Sequence, residues 1–393
     1  MRFVGEKMKY KLSDICIGIT DGSHNPPTGG GKSEFLMLSS KNVFDNQITF
    51  EEPRYLSKEQ FAVEHKRTNI TPGDVLMTIV GTVGRTAVVA ESTPPITLQR
   101  SVAVLHPKED VCSSRYLMYL LRSKRAFFEA EAHGVAQKGI YLKQLSDVRV
   151  DVPEIESQRE IVQMLDKVQG VIQKRHSEVH ALDDLIKARF VEMFGDETNP
   201  YNWPVVNVEE VANVSVGVVI KPAQYYTDAE HGVKAFRSLN IGPMTIKDND
   251  WVYFSYEGND KNVKSQLKEN DLLIVRSGAP GTACVVPKQY EGCNAIDIII
   301  ARPKTERINP YYLCTYTNMP HGKRQIEEGT GGAAQQHFNV GKYNKLRLML
   351  PSMDLQKEFV DFVTQVDKSK VVVQKALNEA QLLFDSLMQQ YFG

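Results

Sequence analysis

The sequence predicts an α/β protein in which one globular domain and one long helix occur twice along the chain. Three patterns support this prediction: an apolar seam in residues 161–193, a second seam in residues 359–391, and strands that recur at nearly the same offset. A period of about 200 residues is far longer than the unit of a solenoid, so it indicates duplication of a whole domain.

The first long helix is predicted within residues 153–196, after a globular domain in residues 1–152. Its seam recurs every 3.5 residues in alternating steps of four and three, a period typical of coiled-coil pairing. No proline interrupts it, and Gly170 is its weak point. The helix would be on the order of 60 Å long. The seam consists of Ile161, Leu165, Val168, Ile172, Arg175, Val179, Leu182, Ile186, Arg189 and Met193.

The partner helix is predicted in residues 351–393, after a second globular domain in residues 197–350. Moving every seam position by 198 residues gives a second seam, in which only Lys370 is polar. Both helices begin after a proline, Pro153 or Pro351, and both end in Phe-Gly. The second seam consists of Phe359, Val363, Val366, Lys370, Val373, Leu377, Ala380, Phe384, Leu387 and Tyr391.

The two globular domains share their strands but not their loops. The apolar strand of residues 75–80 recurs at 272–275, and a Gly-x-x-Gly turn follows each, at 81–84 and at 278–281. Most loop residues between the matching strands differ. Divergent loops on a duplicated frame suggest two related binding modules with different targets.

Bulk composition is that of a globular protein, with 42% apolar residues, 24% charged residues and a net charge of −1. No run of residues is apolar enough for a membrane span or a signal peptide. The five cysteines are odd in number and form no Cys-x-x-Cys motif. We therefore expect a cytoplasmic protein without membrane contact, disulfides or structural zinc.

Two short motifs resemble catalytic or phosphate-binding signatures without their context. Residues 25–28 read Asn-Pro-Pro-Thr, similar to the Asn-Pro-Pro-aromatic loop of amino-methyltransferases, but Thr28 replaces the aromatic residue. Residues 29–33 end like a phosphate loop, yet a strand follows them instead of a helix. With no nucleophile–base pair and no metal-ligand spacing, the sequence argues against an enzyme.

The polar loops instead carry the side chains that recognise DNA bases. Arg and Lys suit guanine, Asn and Gln suit adenine, and Ser and Thr adapt to either. The alternative for each residue is an ordinary solvated loop position. In the first half the candidates are Thr20, Ser23, His24, Lys32, Lys41, Gln137, Lys138 and Tyr141. In the second half they are Lys221, Gln224, Tyr225, Arg237, Asn240, Arg276, Gln335, Gln336, His337 and Asn339.

Local signatures add to the repeated order of domain and helix. Residues 18–24 read Gly-Ile-Thr-Asp-Gly-Ser-His, and Gln-Arg-Glu-Ile-Val follows Pro153 at the entrance of the first helix. The latter recurs after Pro351 as Gln-Lys-Glu-Phe-Val. Over nearly its whole length, the chain resembles the specificity (S) subunit of type I restriction–modification enzymes. The second half departs at its start, since no Thr-Asp-Gly-Ser-His precedes Lys221.

The resemblance implies two target recognition domains, each recognising half of a bipartite site in double-stranded DNA. The two long helices would pack antiparallel and set the spacer between the half-sites. Such a subunit has no catalytic activity and recruits two methyltransferase (M) subunits and two restriction/translocase (R) subunits. S-adenosylmethionine, ATP and Mg²⁺ would bind those partners, and no cofactor would bind this chain.

Two other functions stay open at this stage. A coiled-coil scaffold with two protein-binding domains would show little salt dependence in its associations, whereas DNA binding is salt-sensitive. A third possibility is a fused remnant of a DNA methyltransferase target domain acting alone as a repressor, which would bind DNA tightly and specifically without partner subunits.

Apolar residues outside the seams are candidates for docking the methyltransferase; the alternative is packing against their own globular domain. The polar seam residues Arg175, Arg189 and Lys370 either fix helix register or extend out of the seam. The docking candidates are Val162, Leu185, Phe190, Phe194, Val360, Phe362, Leu383 and Phe392.

Overall fold

The structure, a computed structural model, describes residues 7–133, 139–196, 198–330 and 338–393. The chain divides into two compact units. Unit 1 comprises Met1–His176 with Lys375–Gly393, and unit 2 comprises Ser177–Gln374. Each long helix therefore contributes one segment to each unit.

Unit 1 contains short strands and helices that precede the first long helix. They are β1 Met8–Lys11, α1 Leu12–Ile15, β2 Cys16–Asp21, β3 Leu36–Leu38, β4 Val43–Phe44, β5 Gln47–Ile48, β6 Arg54–Tyr55, α2 Lys58–Thr68, β7 Val75–Thr78, β8 Thr86–Val88, β9 Ile96–Leu98, β10 Val102–Pro107, α3 Ser114–Ser123, α4 Arg125–Glu131, α5 Leu142–Asp147 and β11 Arg149–Val152. The long helix α6 spans Ile155–Phe194.

The main sheet of unit 1 is buried on both faces at its central strands β7 and β10, which explains why these two strands are almost continuously apolar. It has the antiparallel order β2-β10-β7-β8. Because strand side chains alternate between faces, Met77 and Leu105 join the core that includes α3 and the long helices. Leu76 and Val104 face the opposite core, which contains residues of the β6-β3-β9 sheet.

Unit 2 begins within α6 and continues through a second set of elements. They are β12 Val205–Asn207, α7 Val208–Val211, β13 Ala212–Val216, β14 Tyr226–Thr227, β15 Gly232–Phe236, β16 Ile241–Gly242, β17 Thr245–Ile246, β18 Val252–Ser255, α8 Tyr256–Lys261, β19 Leu272–Val275, β20 Ala283–Val285, β21 Asn294–Ala295, β22 Ile298–Pro303, α9 Pro310–Asn318, α10 Pro320–Thr330, α11 Val340–Asn344 and β23 Arg347–Met349. The second long helix, α12, spans Met353–Phe392.

Unit 2 repeats the architecture of unit 1. Its main sheet has the order β13-β22-β19-β20, matching β2-β10-β7-β8. Ile274 packs towards the core that contains the long helices, whereas Leu273 joins the opposite core. The duplication and the mixed helix–sheet class predicted from the sequence are confirmed.

A buried glutamine holds the entrance of each long helix in the same way. In unit 1, Gln158 Nε2 donates to the carbonyls of Val111 and Pro153 at 2.8 Å, and Gln158 Oε1 accepts from Ser113 N at 2.9 Å. In unit 2, Gln356 donates to the Pro351 carbonyl at 2.9 Å and accepts from Asn309 N at 2.8 Å. These bonds explain why a Gln follows the proline in both repeats.

A second repeated feature joins the central strands of the main sheets. The Asp74 carboxylate lies 2.7 Å from His106 Nδ1, and at the matching place Asp271 accepts from Arg302 Nε at 2.8 Å and Nη2 at 2.7 Å. The hydrogen bond to Asp74 raises the pKa of His106 above its ordinary value, although partial burial opposes the shift.

The long helices pair in antiparallel fashion within each unit. In unit 1, Ile161 and Leu165 near the start of α6 share a core with Phe384 and Phe392 near the end of α12. In unit 2, the end of α6 shares a core with the beginning of α12. All twenty predicted seam positions are buried or partly buried, so the seam is confirmed.

Ion pairs join the two helices where the seam is polar. In unit 2, Lys370 Nζ lies 2.7 Å from Asp183 Oδ1, and Arg189 Nη2 lies 3.0 Å from Glu358 Oε1. These contacts favour a role in helix register for Lys370 and Arg189.

Three of the aromatic docking candidates are buried, so the alternative of packing against their own globular domain holds for them. Phe190 and Phe194 pack against Tyr312 and Phe359 within unit 2, and Phe392 packs against Tyr116 in unit 1. Their large rings fill the junction between the helices and the globular part. Val162, Val360 and Phe362 are partly buried, whereas Leu185 and Leu383 are exposed.

Candidate functional site

Several loops of unit 1 emerge at one edge of its sheets. Ser23 pairs in parallel with Gln99, and Leu38 pairs in parallel with Leu98, so the three segments run in one direction and end together. The strand β7 ends at the same edge, because Ile79 N donates to Ser101 O at 2.9 Å. We call residues 23–25, 39–41, 79–84, 99–101 and 139–141 the loop edge of unit 1.

Unit 2 has an equivalent edge. Val218 pairs in parallel with Ile296, and Phe236 pairs in parallel with Ala295. The segment after β19 joins them through the bond from Phe338 N to Arg276 O, at 3.2 Å. The loop edge of unit 2 comprises residues 218–221, 237–239, 276–281, 296–297 and 338–339.

The two loop edges are more basic than the chain as a whole. Residues of the unit 1 loop edge include Lys41 and Arg100 and no carboxylate. The unit 2 loop edge carries Lys221, Arg237 and Arg276 against a single carboxylate, Asp297. Positive charge concentrated at loop ends is suited to phosphate contacts, and the overall net charge of −1 conceals it.

A buried carboxylate orients two polar groups beside the loop edge of unit 1. Asp21 Oδ1 accepts from Arg67 Nη2 at 2.5 Å, and its backbone carbonyl accepts from Arg67 Nε at 3.0 Å. His24 Nε2 lies 2.8 Å from Asp21 Oδ2. Asp21 is nearly inaccessible while the side chains of Arg67 and His24 are about half exposed, so both groups are fixed where solvent or a ligand reaches them.

The remaining candidates of unit 1 fall into two groups. Ser23, Lys41 and Tyr141 belong to the loop edge, and both Lys41 and Tyr141 are exposed. Thr20 lies within β2, with its hydroxyl 3.5 Å from the Arg67 carbonyl. Lys32 is exposed in the long loop between β2 and β3.

In unit 2, Arg237 and Asn240 form a turn after β15. Asn240 is fully buried, and its side chain accepts from Arg237 N at 2.9 Å and donates to the Asn249 carbonyl at 2.7 Å. Asn42 makes the same bonds to Ser39 and Glu51 in unit 1. The shared geometry gives Asn240 a structural role in the turn, while Arg237 Nη2 donates to the Asp250 carbonyl.

Arg276 ties three segments of the unit 2 loop edge together. Its Nε donates to Phe338 O at 3.0 Å, and its Nη1 pairs with Asp297. Asn339 caps the start of α11, with Oδ1 accepting from Lys342 N at 3.0 Å. Tyr141 occupies the equivalent position at the start of α5 in unit 1.

The candidates after β13 form the segment that adjoins the unit 2 loop edge. Lys221 is exposed and has a positive φ of 45°, and Gln224 is exposed in the turn that follows. Tyr225 is partly buried, with its ring centroid 5.5 Å from that of Phe254. The last group of candidates lies outside the described residues: Gln137, Lys138, Gln335, Gln336 and His337.

The duplicated arrangement is also found when the sequence is compared with known protein families. The family described as type I restriction modification DNA specificity domain matches the chain twice, over residues 8–181 and 174–381. The chain belongs to this specificity family. DNA sequence recognition within a type I restriction–modification system is therefore its general function.

Individual members of the specificity family are distant in sequence. The type I restriction enzyme MjaVIII specificity subunit of Methanocaldococcus jannaschii is 19% identical, over 71% of this chain and 71% of that protein. The type I restriction enzyme EcoBI specificity subunit of Escherichia coli is also 19% identical, over 81% of this chain and 72% of that protein. The fold resembles the crystal structure of the S subunit from M. genitalium with a TM-score of 0.57, at 13% identity, covering 100% of this chain and 98% of that one.

For this member of the specificity family, sequence reasoning missed several residues at or beside the loop edges. Arg67 belongs to α2 and reaches Asp21 only through tertiary folding. Gln99 and Arg100 form the turn between β9 and β10, and a polar pair between two apolar strands was the available signal. The exposed apolar residues Ile220 and Leu239 gave no signal, because they do not resemble base-reading side chains.

Reactive groups in the described part of the chain are few. No cluster of three or more His, Cys, Asp and Glu side chains capable of holding a metal ion occurs there. All five cysteines are buried free thiols, and burial raises the pKa of Cys16 and of Cys284 to about 12. These thiols are protonated at neutral pH and are poor nucleophiles. No described helix is both long and apolar enough to span a bilayer.

Proposed function

We propose that this specificity-family chain binds a bipartite DNA target, with one half-site recognised by each unit. The observation that carries the proposal is the pair of loop edges, which share a frame and differ in side chains. A duplicated frame provides two similar docking geometries, and different side chains give each one its own sequence preference.

The antiparallel helices would set the spacer between the two half-sites. Two recognition units attached to a continuous helical pair accept a restricted range of half-site separations and phases. The interhelical ion pairs Lys370–Asp183 and Arg189–Glu358 support this role, because they favour one register of the two helices.

We further propose that two methyltransferase and two restriction subunits assemble on this chain. Exposed apolar residues on the long helices support protein docking, because such side chains gain from being covered. Besides Leu185 and Leu383, they include Val371, Val372 and Leu382. In this proposal the chain itself is non-catalytic and binds no cofactor. S-adenosylmethionine, ATP and Mg²⁺ belong to its partners, and the complex functions in the cytoplasm.

The alternative of a scaffold with two protein-binding domains makes a different use of the loop edges. It is less well supported, because cationic and amide side chains outnumber carboxylates there. Salt dependence discriminates between the two functions, since phosphate contacts release counterions when they form.

The experiment is selection of random duplex DNA by the chain co-expressed with the methyltransferase subunit of its own system. We expect two short conserved half-sites at one fixed spacing. A single contiguous motif would contradict the proposal that each unit recognises its own half-site. Stable protein association without DNA enrichment, unaffected by salt, would favour the scaffold.

A further inference from the structure

Unit 2 exposes large apolar side chains at its loop edge. Hydrogen bonding to the polar groups of DNA bases does not require such side chains. Ile220 is 78% exposed and Leu239 is 62% exposed, and Val219 is about half exposed. They project from two of the segments that end together beside Ile296. In the described structure these side chains belong to none of the hydrophobic cores of unit 2.

The matching positions of unit 1 are polar. Because Val218 pairs with Ile296 as Ser23 pairs with Gln99, Ile220 corresponds to Asn25. Leu239 corresponds to Lys41, since each is the middle residue of the 3-10 turn after the matching strand. The duplicated frame thus presents amide and ammonium groups in one unit and branched hydrocarbon in the other.

Charged groups surround the apolar side chains without covering them. Lys221 follows Ile220 directly, and Arg237 precedes the turn that carries Leu239. Arg276 neutralises Asp297, the one carboxylate on this edge. A protein partner that buried only the apolar pair would have to desolvate these cations, whereas DNA offers phosphates to them and hydrocarbon to their neighbours.

We infer that Ile220 and Leu239 determine specificity by contacting thymine C5-methyl groups in the half-site recognised by unit 2. The C5-methyl is an apolar group that only an A·T pair presents in the major groove, and aliphatic side chains are suited to contact it. The inference rests on the proposed function and adds to it a chemical class of base contact for one unit. Unit 1, with polar residues at both positions, would depend less on thymine methyls.

Replacement of thymine by deoxyuridine tests this directly, because uracil lacks only the C5-methyl and keeps every hydrogen-bonding group. Once selection has defined the target, each thymine of both half-sites is replaced singly, and affinity is measured with the full chain in its methyltransferase complex. We expect one or more replacements in a single half-site to weaken binding by roughly threefold to fivefold, the value of one buried methyl. Ile220→Ala or Leu239→Ala should abolish that difference between thymine and uracil.

The matched control is Val263→Ala, which shortens another exposed apolar residue of unit 2 outside the loop edge. It should retain the full uracil effect. The inference is overturned if the half-site recognised by unit 2 contains no A·T pair, or if uracil binds as well as thymine throughout it. It is also overturned if both alanine variants keep the uracil effect and instead lose a protein partner. Failure to recover any bipartite site would overturn the proposed function together with the inference.

Discussion

Arg67 donates a hydrogen bond of 2.5 Å to the buried carboxylate of Asp21, joining helix α2 to the end of strand β2. The same carboxylate lies 2.8 Å from His24. One buried acceptor therefore positions two outward groups beside the loop edge of unit 1. In unit 2 its place on the sheet is taken by Val216, which pairs with Ile299 as Asp21 pairs with Ala103.

This arrangement predicts that Asp21→Asn weakens recognition of one half-site only. The amide keeps the shape of the carboxylate but loses the charge-assisted bond to Arg67, which is about twice as strong as a neutral one. We expect roughly tenfold weaker binding, with relaxed preference at one or two positions of that half-site. Competition binding against single-base variants of the target measures both effects.

The control for this prediction is Asp228→Asn. It removes another Asp–His contact, the 2.7 Å pair of Asp228 and His231 in unit 2, without changing the loop edge. It should bind as the wild type does. Equal binding by Asp21→Asn and the wild type would show that Arg67 and His24 do not depend on Asp21 for recognition.

A second prediction concerns the buried glutamines at the helix entrances. Gln158→Ala leaves the amide of Ser113 and the carbonyls of Val111 and Pro153 without their partner. We expect a loss of about 3 kcal/mol in the free energy of unfolding, since each buried unsatisfied group costs about 1–3 kcal/mol. Urea unfolding measures it, with exposed Gln163→Ala on the same helix as control. If both variants were equally stable, the buried amide would have no special role.

The long helices could be predicted from the sequence because their pattern is local and periodic. Each seam position depends only on residues three or four places away, so counting was sufficient. The sequence left open whether Phe190 and Phe194 dock a partner or pack within their own unit, and the choice has a tertiary cause. These rings lie beside the seam, and only the position of Tyr312 on α9 decides that they are covered.

The candidate site was predictable in residue type but not in arrangement. The sequence identified Ser23, His24 and Lys41 as polar loop residues, and the parallel pairing of β3 with β9 brings their segments to one edge. The sequence did not show that Asn240 is buried and has a structural role whereas Arg237 remains a candidate for DNA contact. An asparagine that hydrogen-bonds within its own turn is the same residue type as an asparagine in any polar loop. Nor did the sequence indicate Arg67, which acts from a helix.

A third prediction is a pH dependence caused by His106. The bond to Asp74 raises the pKa of His106 in the folded state, so the protonated form stabilises unit 1. This stabilisation is fully present below the unfolded pKa, near 6.5, and is lost as pH rises through the higher folded value. We expect the free energy of unfolding to fall by about 1 kcal/mol on that account.

His106→Arg provides the matched comparison, because unit 2 already has Arg302 at this position, paired with Asp271. Arginine stays charged throughout, so the variant should lose this part of the pH dependence. The quantity to measure is the difference in unfolding free energy between wild type and variant from pH 5.5 to 9. A wild type that gains stability relative to the variant as pH rises would contradict the assigned direction.

The final prediction tests whether the long helices set the spacer. One heptad inserted after His176 in α6 and one after Gln374 in α12, where the two units divide, lengthens both helices by about 10 Å. That equals the rise of roughly three base pairs, so the selected target should gain about three unspecified positions between unchanged half-sites. Selection from random DNA measures the spacing directly.

Both insertions are needed because the antiparallel helices pair with each other within unit 1 and again within unit 2. A heptad added to α6 alone would lengthen one helix between the two units while α12 keeps its length, so α12 could not keep its present pairing with α6 in both units at once. The pairs Lys370–Asp183 and Arg189–Glu358 would survive only if the pairing in unit 1 shifted by one repeat, and apolar seam residues of the inserted repeat would have no partner. The single insertion should therefore lose stability and selectivity, whereas the double insertion keeps both. A double variant that folds and selects the original spacer would mean that the helices do not determine half-site separation.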